Sequence, residues 1–156
     1  MRWGSDHEAE AVAAYERVSG LTTQRCGFVI DHRHCWLGAS PDRIVLDPSE
    51  SSPEGLVEVK CPFSAKDGCV KDLLDQRNGF IVQVDGELQL NRKHNYFFQV
   101  LGGLAITHCQ WCDFVVWTKN DLFVERIFFD SEKWQACFPV LNDFYFQFIV
   151  PELSKS

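Results

Sequence analysis

A mixed α/β domain, a central sheet flanked by helices, is the fold class that this 156-residue sequence predicts. Three observations predict it. Strand-length apolar runs bounded by turn residues recur along the chain, and helix-length segments open it, interrupt it and close it. No internal repeat divides it. With 46% hydrophobic and 13% aromatic residues the chain can bury one real core, so a single domain over residues 1–156 is expected.

The first helix is read over residues 6–19, "DHEAEAVAAYERVS", rich in good helix formers and closed by Gly20 as C-cap. "GFVI" and "CWLGAS" follow as short strands around the turn-like "DHRH". "RIVLD" reads as a strand, "PSESSPE" as a polar loop and "GLVEVK" as a buried strand. Pro62 ends that strand, because it has no N–H to give to a ladder. "KDGCVKDLLDQ" is expected to form a short helix. "FIVQVDGELQL" reads as a hairpin turning at Asp85-Gly86, a pair that accepts positive φ. "RKHNYFFQVLGGLAIT" has the length of a helix, and Gly102-Gly103 would let it pack closely on a sheet. "WCDFVVWT" and "LFVERIFF" are strands joined through Lys119-Asn120-Asp121. The closing "SEKWQACFPVLNDFYFQFIV" is expected to be a helix capped by Ser131 and kinked at Pro139.

Bulk composition excludes several classes of function. No apolar run approaches the roughly 18 residues of a membrane span, so no membrane partner is expected. The opening "MRWGSDHEAE" lacks the apolar centre of a secretory signal. Seven cysteines, an odd number at irregular spacing, fit reduced thiols better than a disulfide framework. An intracellular protein of nucleus or cytoplasm, not a secreted one, is the expectation. The formal net charge of −7 argues against a role in coating nucleic acid, since phosphate neutralisation needs cations. It leaves room for an enzyme that meets phosphate through bound divalent ions.

The residues that carry chemistry lie in "GASPDRIV" and "GLVEVKCP". Successive strand residues point to opposite faces, so Glu58 and Lys60 share one face while Val57 and Val59 share the other. Asp42 stands where a turn enters a strand, stiffened by Pro41. If the two strands pair, Asp42, Glu58 and Lys60 converge at one edge of the sheet. Two carboxylates and a lysine there suit a hard divalent cation such as Mg²⁺, which takes oxygen ligands. A bound cation acidifies water, and the lysine can stabilise charge developing on an attacked phosphate. A Glu and a Lys two apart on a strand ordinarily mark a solvated face worth under about 1 kcal/mol. Pro-Asp followed, after a short loop, by Glu-x-Lys in an apolar strand is the signature of the PD-(D/E)xK nucleases.

Further segments extend the match. "WGSDHEAEAVAAYE", with Gly4, Glu8, Ala11 and Tyr15, resembles the first motif of the YqaJ-like viral recombinases, the alkaline exonuclease family. "GASPDRIV" with "GLVEVKCPF" resembles the second, including the Cys-Pro after the lysine. "LNRKHNYFFQVLGGLAIT" and "WCDFVVWT" resemble the family's glutamine-bearing helix and the strand after it. The resemblance spans about residues 2–150 and implies a restriction-endonuclease-like core. It also implies hydrolysis of DNA phosphodiesters with Mg²⁺ or Mn²⁺, from the ends of linear double-stranded DNA, in recombination or repair. Under it Asp42 and Glu58 would be the core metal ligands, with the Val59 carbonyl as a further oxygen and Glu8 as an outer ligand. Lys60 would position the nucleophilic water, and Gln99 would help to fix the site. Relatives commonly carry a second glutamine where this chain has Leu101, and an N-terminal helical segment that recognises a DNA 5′ phosphate precedes their first motif. The single domain expected here lacks that segment. Related enzymes form rings, so a homo-oligomer, a ring trimer by family resemblance only, is implied. The contrasting expectation is a catalytically impaired descendant that binds DNA ends or protein.

Other candidates compete. "HCQWC" contains Cys109 and Cys112 beside His108, but structural zinc takes four ligands, and Cys26, Cys35 and His34 would have to supply the rest. Core or strand-edge thiols are the plainer reading. Arg43, Arg92, Lys93, His94 and Arg126 are possible phosphate contacts, each with solvated charge as the ordinary alternative. Phe138, Phe144, Tyr145 and Phe148 read as core or as a subunit interface rather than as a base-stacking surface.

Overall fold

The strand Glu54–Lys60 (β5) is buried on both faces, and its alternation organises the molecule. Leu56 packs into one apolar layer, while Val57 and Val59 pack into another on the far side. The computed structural model describes residues 2–74 and 76–155, without the side chains of Arg2 and Ser5. Helix α1 (Arg2–Ser19) lies on the Val57 face and contributes Ala11, Val12 and Tyr15 to that layer. Its start is earlier than residue 6, and Gly20 follows it at φ 72°, a conformation suited to a glycine C-cap.

Chain order continues through β1 (Thr23–Arg25), β2 (Val29–Ile30), β3 (Gly38–Ala39) and β4 (Arg43–Leu46) before β5. After β5 come the hairpin β6 (Ile81–Val84) and β7 (Glu87–Leu90), helix α2 (Asn95–Thr107), β8 (Trp111–Trp117) and β9 (Leu122–Phe128). The main sheet has the order β1-β4-β5-β8-β9. Only β5 and β8 are parallel; the other neighbours run antiparallel, so the sheet is mixed. A parallel pair needs a crossover, and the segment between β5 and β8 supplies it with α2. Phe97, Val100, Leu101 and Leu104 of α2 cover the face that carries Leu56, Cys112 and Phe114. Gly103 sits over Leu56, where an added Cβ would lie 3.5 Å from its side chain.

Several local expectations change. In "KDGCVKDLLDQ", whose Asp75 lies outside the described residues, residues 70–73 form a 3₁₀ turn instead of a short α-helix, and another 3₁₀ turn spans 63–65 before it. Side chains claim the N–H groups where the 70–73 turn begins: Cys69 N–H donates to Asp72 Oδ2 at 2.8 Å and Val70 N–H to Asp121 Oδ2 at 3.0 Å. The hairpin turns at Asp85 and Gly86, with φ of 52° and 87°. Helix α3 (Ser131–Phe144) is capped by Asp130, whose Oδ1 accepts from Lys133 N–H at 2.9 Å, in place of the Ser131 cap read from the sequence. Pro139 lies inside α3, which runs on through a π-helical stretch (Tyr145–Ile149) into α4 (Val150–Leu153). Among the described residues no helix is long and apolar enough to cross a membrane.

A buried ionic clasp closes the α1 face. Asp113 of β8 is 2% exposed and takes both nitrogens of Arg126 (Nε 2.8 Å, Nη2 2.9 Å) together with the Tyr15 hydroxyl at 2.6 Å. The remaining Arg126 nitrogen reaches Asp47 and Glu50, both at 2.7 Å, in the loop between β4 and β5. The guanidinium also lies 3.8 Å from the Trp111 ring centroid, and the indole N–H donates to the Ser52 carbonyl at 2.8 Å. Trp111 is thereby pinned over Gly55, where an added Cβ would meet the indole at 2.4–2.5 Å. Gly55→Ala is therefore expected to cost about 1–3 kcal/mol through overpacking, read as a lower urea midpoint with unchanged slope. A wild-type midpoint would show that the indole moves aside freely.

Candidate active site

The α2 face of β5 holds its two charged residues. Glu58 is 6% exposed, against the apolar layer built on Leu56 and α2, and Lys60 follows it toward the strand's open end. Burying a carboxylate is expensive unless hydrogen-bond donors and a counter-charge meet it. Lys60 Nζ donates to Glu58 Oε1 at 2.6 Å, and Gln99 Nε2 from α2 donates to the same oxygen at 2.6 Å. The Gln99 carbonyl oxygen in turn accepts from Lys60 Nζ at 3.2 Å. A primary amide offers one donor end and one acceptor end, so a glutamine closes this triangle where a glutamate or leucine would leave it open. Tyr96, one helical turn before Gln99, sets its ring 4.5 Å from Lys60 Nζ. His94, the N-cap of α2, accepts from the Tyr96 N–H through Nδ1 and fixes where the helix starts.

Asp42 completes the edge. The β4–β5 register pairs Arg43 with Val57, and one further step sets Asp42 opposite Glu58. Another step would set Pro41 opposite Val59, where a proline has no N–H to give to the Val59 carbonyl. The Val59 N–H donates to Asp42 Oδ2 at 2.8 Å. A strand residue's N–H and C=O point the same way, so the Val59 carbonyl also faces the position where the β4 ladder has ended. Glu8 comes from α1 and pairs with Arg43 Nη1 at 2.8 Å; that guanidinium also donates to the Asp42 carbonyl at 2.5 Å. Glu8, Val59 and Lys60 line one cleft of about 720 Å³, with Trp3, Phe63, Phe80 and Tyr96 among its walls.

The electrostatics describe crowded carboxylates. Burial, partly opposed by Lys60 and reinforced by Asp42, pushes Glu58 up to about 7. Asp42 is also raised, chiefly by burial, against the pull of the Val59 N–H and Lys60, with Glu8 pushing it further up. All donors are carboxylate or carbonyl oxygens, the set that a hard divalent cation prefers, and neighbouring carboxylates add to the rise at Glu58 and Asp42. The residues fit such an ion. Among the described residues no three His, Cys, Asp or Glu side chains already converge on one point, because Arg43 holds Glu8 and Lys60 holds Glu58.

Other sequence candidates sit elsewhere. Arg126 belongs to the Asp113 clasp and Arg92 pairs with Glu125 at 2.5 Å, so neither is a phosphate contact at this edge. Cys112 is packed in the core, and the Cys109 thiol faces Glu54 at 3.9 Å. Sequence reasoning missed the pairing of Arg43 with Glu8 and the roles of Tyr96 and Phe63 in the walls. Tyr96 carried a signal in its position one helical turn from Gln99.

Residues 1–110 match the YqaJ-like viral recombinase domain. The chain belongs to that family. No curated protein matches it in sequence. The alkaline exonuclease LHK-Exo of Laribacter hongkongensis is similar in structure at a TM-score of 0.65 and 23% identity, over 99% of this chain and 74% of that one. The dAMP complex of LHK-Exo gives a TM-score of 0.64 and 24% identity, over the same shares. The fold is thus that of an alkaline exonuclease, a mixed sheet flanked by helices.

Glu58 gives a pH signature. Between its ordinary 4.5 and about 7 the folded protein keeps a proton that the unfolded chain has released, so this group's contribution to stability falls as pH rises. Glu58→Gln does not titrate. In chelator, its stability relative to wild type is expected to grow from pH 4.5 to pH 7 and level off above, measured by urea unfolding. A difference that stays flat with pH would show Glu58 ionised throughout.

Proposed function

We propose that this chain is a divalent-metal-dependent deoxyribonuclease that removes nucleotides from the ends of linear duplex DNA. The observation that carries the reading is the Glu58–Lys60–Gln99 triangle with Asp42 opposite in register, Lys60 lining one cleft and Glu58 and Gln99 another, in a YqaJ-family chain. The exonuclease named in the structural comparison supports it. The site residues we assign are Asp42, Glu58, Lys60 and Gln99, with Glu8 and the Val59 carbonyl beside them, in one domain spanning the chain.

Asp42, Glu58 and the Val59 carbonyl would hold Mg²⁺ or Mn²⁺, with Glu8 as an outer ligand. The ion would supply Lewis-acid polarisation of the scissile phosphate and acidify a nucleophilic water. The chain's own contribution is positional and electrostatic. Lys60 keeps an ammonium at the strand end, anchored on three sides by Glu58, Gln99 and Tyr96, where negative charge grows on the attacked phosphate. Gln99 holds the distance between Lys60 and Glu58 and ties both to α2. Arg43 covers Glu8 and offsets the carboxylate repulsion in the absence of substrate.

Lys60→Ala tests the assignment. The side chain lines an open cleft, so its loss widens that cleft rather than leaving a sealed void, and Mn²⁺ binding by calorimetry should persist. Cleavage of end-labelled linear duplex should fall roughly 10²–10³-fold, the usual cost of one preorganised charge-stabilising group. Glu58→Ala should lose Mn²⁺ binding and cleavage together. Equal digestion by wild type and Lys60→Ala would reduce this lysine to a strand-end ion pair.

A further inference from the structure

We propose that Phe63 is a stacking platform for a nucleobase of the DNA strand that enters the cleft, an inference that rests on the nuclease reading above. Phe63 lies three residues beyond Lys60 in the wall of the same cleft and is 63% exposed. A large aromatic ring held in water is unfavourable by itself, and here it is also held firmly. It opens the 3₁₀ turn Phe63–Ala65, whose Ala65 is buried in the core. The backbone after it is tied to the β8–β9 connection by three hydrogen bonds. Lys119 N–H donates to the Lys66 carbonyl at 3.1 Å, Asn120 Nδ2 to the Asp67 carbonyl at 2.8 Å, and Thr118 Oγ1 to the Gly68 carbonyl at 2.9 Å. The Trp3 ring supports Phe63 edge-on at 5.9 Å. The surface is therefore preorganised, and a base that lands on it orders little new chain.

The charge around the ring selects the partner. Lys66 Nζ lies 4.5 Å from the Phe63 centroid and 5.7 Å from that of Trp3, while Lys119 Nζ lies 5.3 Å from Trp3. Both lysines share one exposed carboxylate, Asp67, at 3.8 and 2.8 Å. In a chain of net charge −7, two lysines against one carboxylate leave this aromatic surface with a net positive charge. An aromatic face flanked by mobile ammonium groups is the combination that binds single-stranded nucleic acid, stacking the base and neutralising the phosphate next to it. Lys66, on a flexible stem, exchanges the ring for a phosphate oxygen when a base takes its place.

A linear duplex carrying 2-aminopurine at each terminal position in turn, with Ca²⁺ in place of Mg²⁺ to hold back cleavage, is the probe. Wild type should quench the fluorophore at one of these positions. Phe63→Leu should lose that quenching and bind the duplex about tenfold more weakly, the scale of one lost base–aromatic stack. Phe63→Tyr should restore both. In Mg²⁺, Phe63→Leu should raise KM more than it lowers kcat. The ring is mostly in solvent, so neither substitution opens a cavity. Wild-type quenching and affinity in Phe63→Leu, in a protein that binds and digests duplex, would overturn the platform alone. A wild type that does not bind the duplex would overturn the platform and the nuclease reading together.

Discussion

Glu58 is a carboxylate that β5 is obliged to place against an apolar layer, and much of the site follows from that constraint. The strand must bury Leu56 toward α2 and Val57 and Val59 toward α1, so the pleat leaves Glu58 no face in water. Its charge is then met by what reaches that spot: Lys60 from the same strand face and Gln99 from the helix covering the sheet. Gln99 faces the sheet because α2 is the crossover that a parallel β5–β8 pair requires. Fold and site are in this sense one arrangement. Moving the register of β5 by one residue would exchange the charged pair for valines and dissolve both.

The opposite face solves the same problem differently. Asp113 is as deeply buried as Glu58, but a bidentate arginine and a tyrosine hydroxyl satisfy it fully. Burial, the Asp113 carboxylate and its charge push the Tyr15 hydroxyl well above its usual range, and the carboxylates around Arg126 raise that guanidinium further. This clasp joins α1, β8, β9 and the β4–β5 loop into a rigid frame. Glu58, by contrast, is left close to neutral pH in its proton affinity, with a second raised carboxylate across the strand. A fully satisfied carboxylate holds structure; a crowded pair at an open edge is suited to take a cation.

How much of this was legible in the sequence depends on range. Asp42, Glu58 and Lys60 were readable because strand alternation and a short loop bring them together, and Gln99 because a recognised helix carries it. The Asp85-Gly86 turn was readable because both residues accept positive φ. The 3₁₀ turn at 70–73 was not, since side chains such as Asp72 and the distant Asp121 hold its start. The true cap of α3 was ambiguous because Asp130 and Ser131 are both capping residues. Arg43, Arg92 and Arg126 could be listed as cations, but their partners Glu8, Glu125 and Asp113 come from other elements. The aromatic residues of α3 and the following π-helical stretch show the same limit. Trp36, distant in sequence, stacks on Tyr145 at 4.8 Å, while Phe144 and Phe148 stack on each other with most of their surface in solvent.

The claim on which the account turns is that the edge formed by Asp42, Glu58 and the Val59 carbonyl takes a hard divalent cation. Anomalous diffraction from crystals soaked in Mn²⁺ tests it most directly. The account predicts a manganese peak beside Asp42, Glu58 and the Val59 carbonyl, absent from Glu58→Ala crystals. A peak that survives in Glu58→Ala, or that lies away from β5, would contradict it.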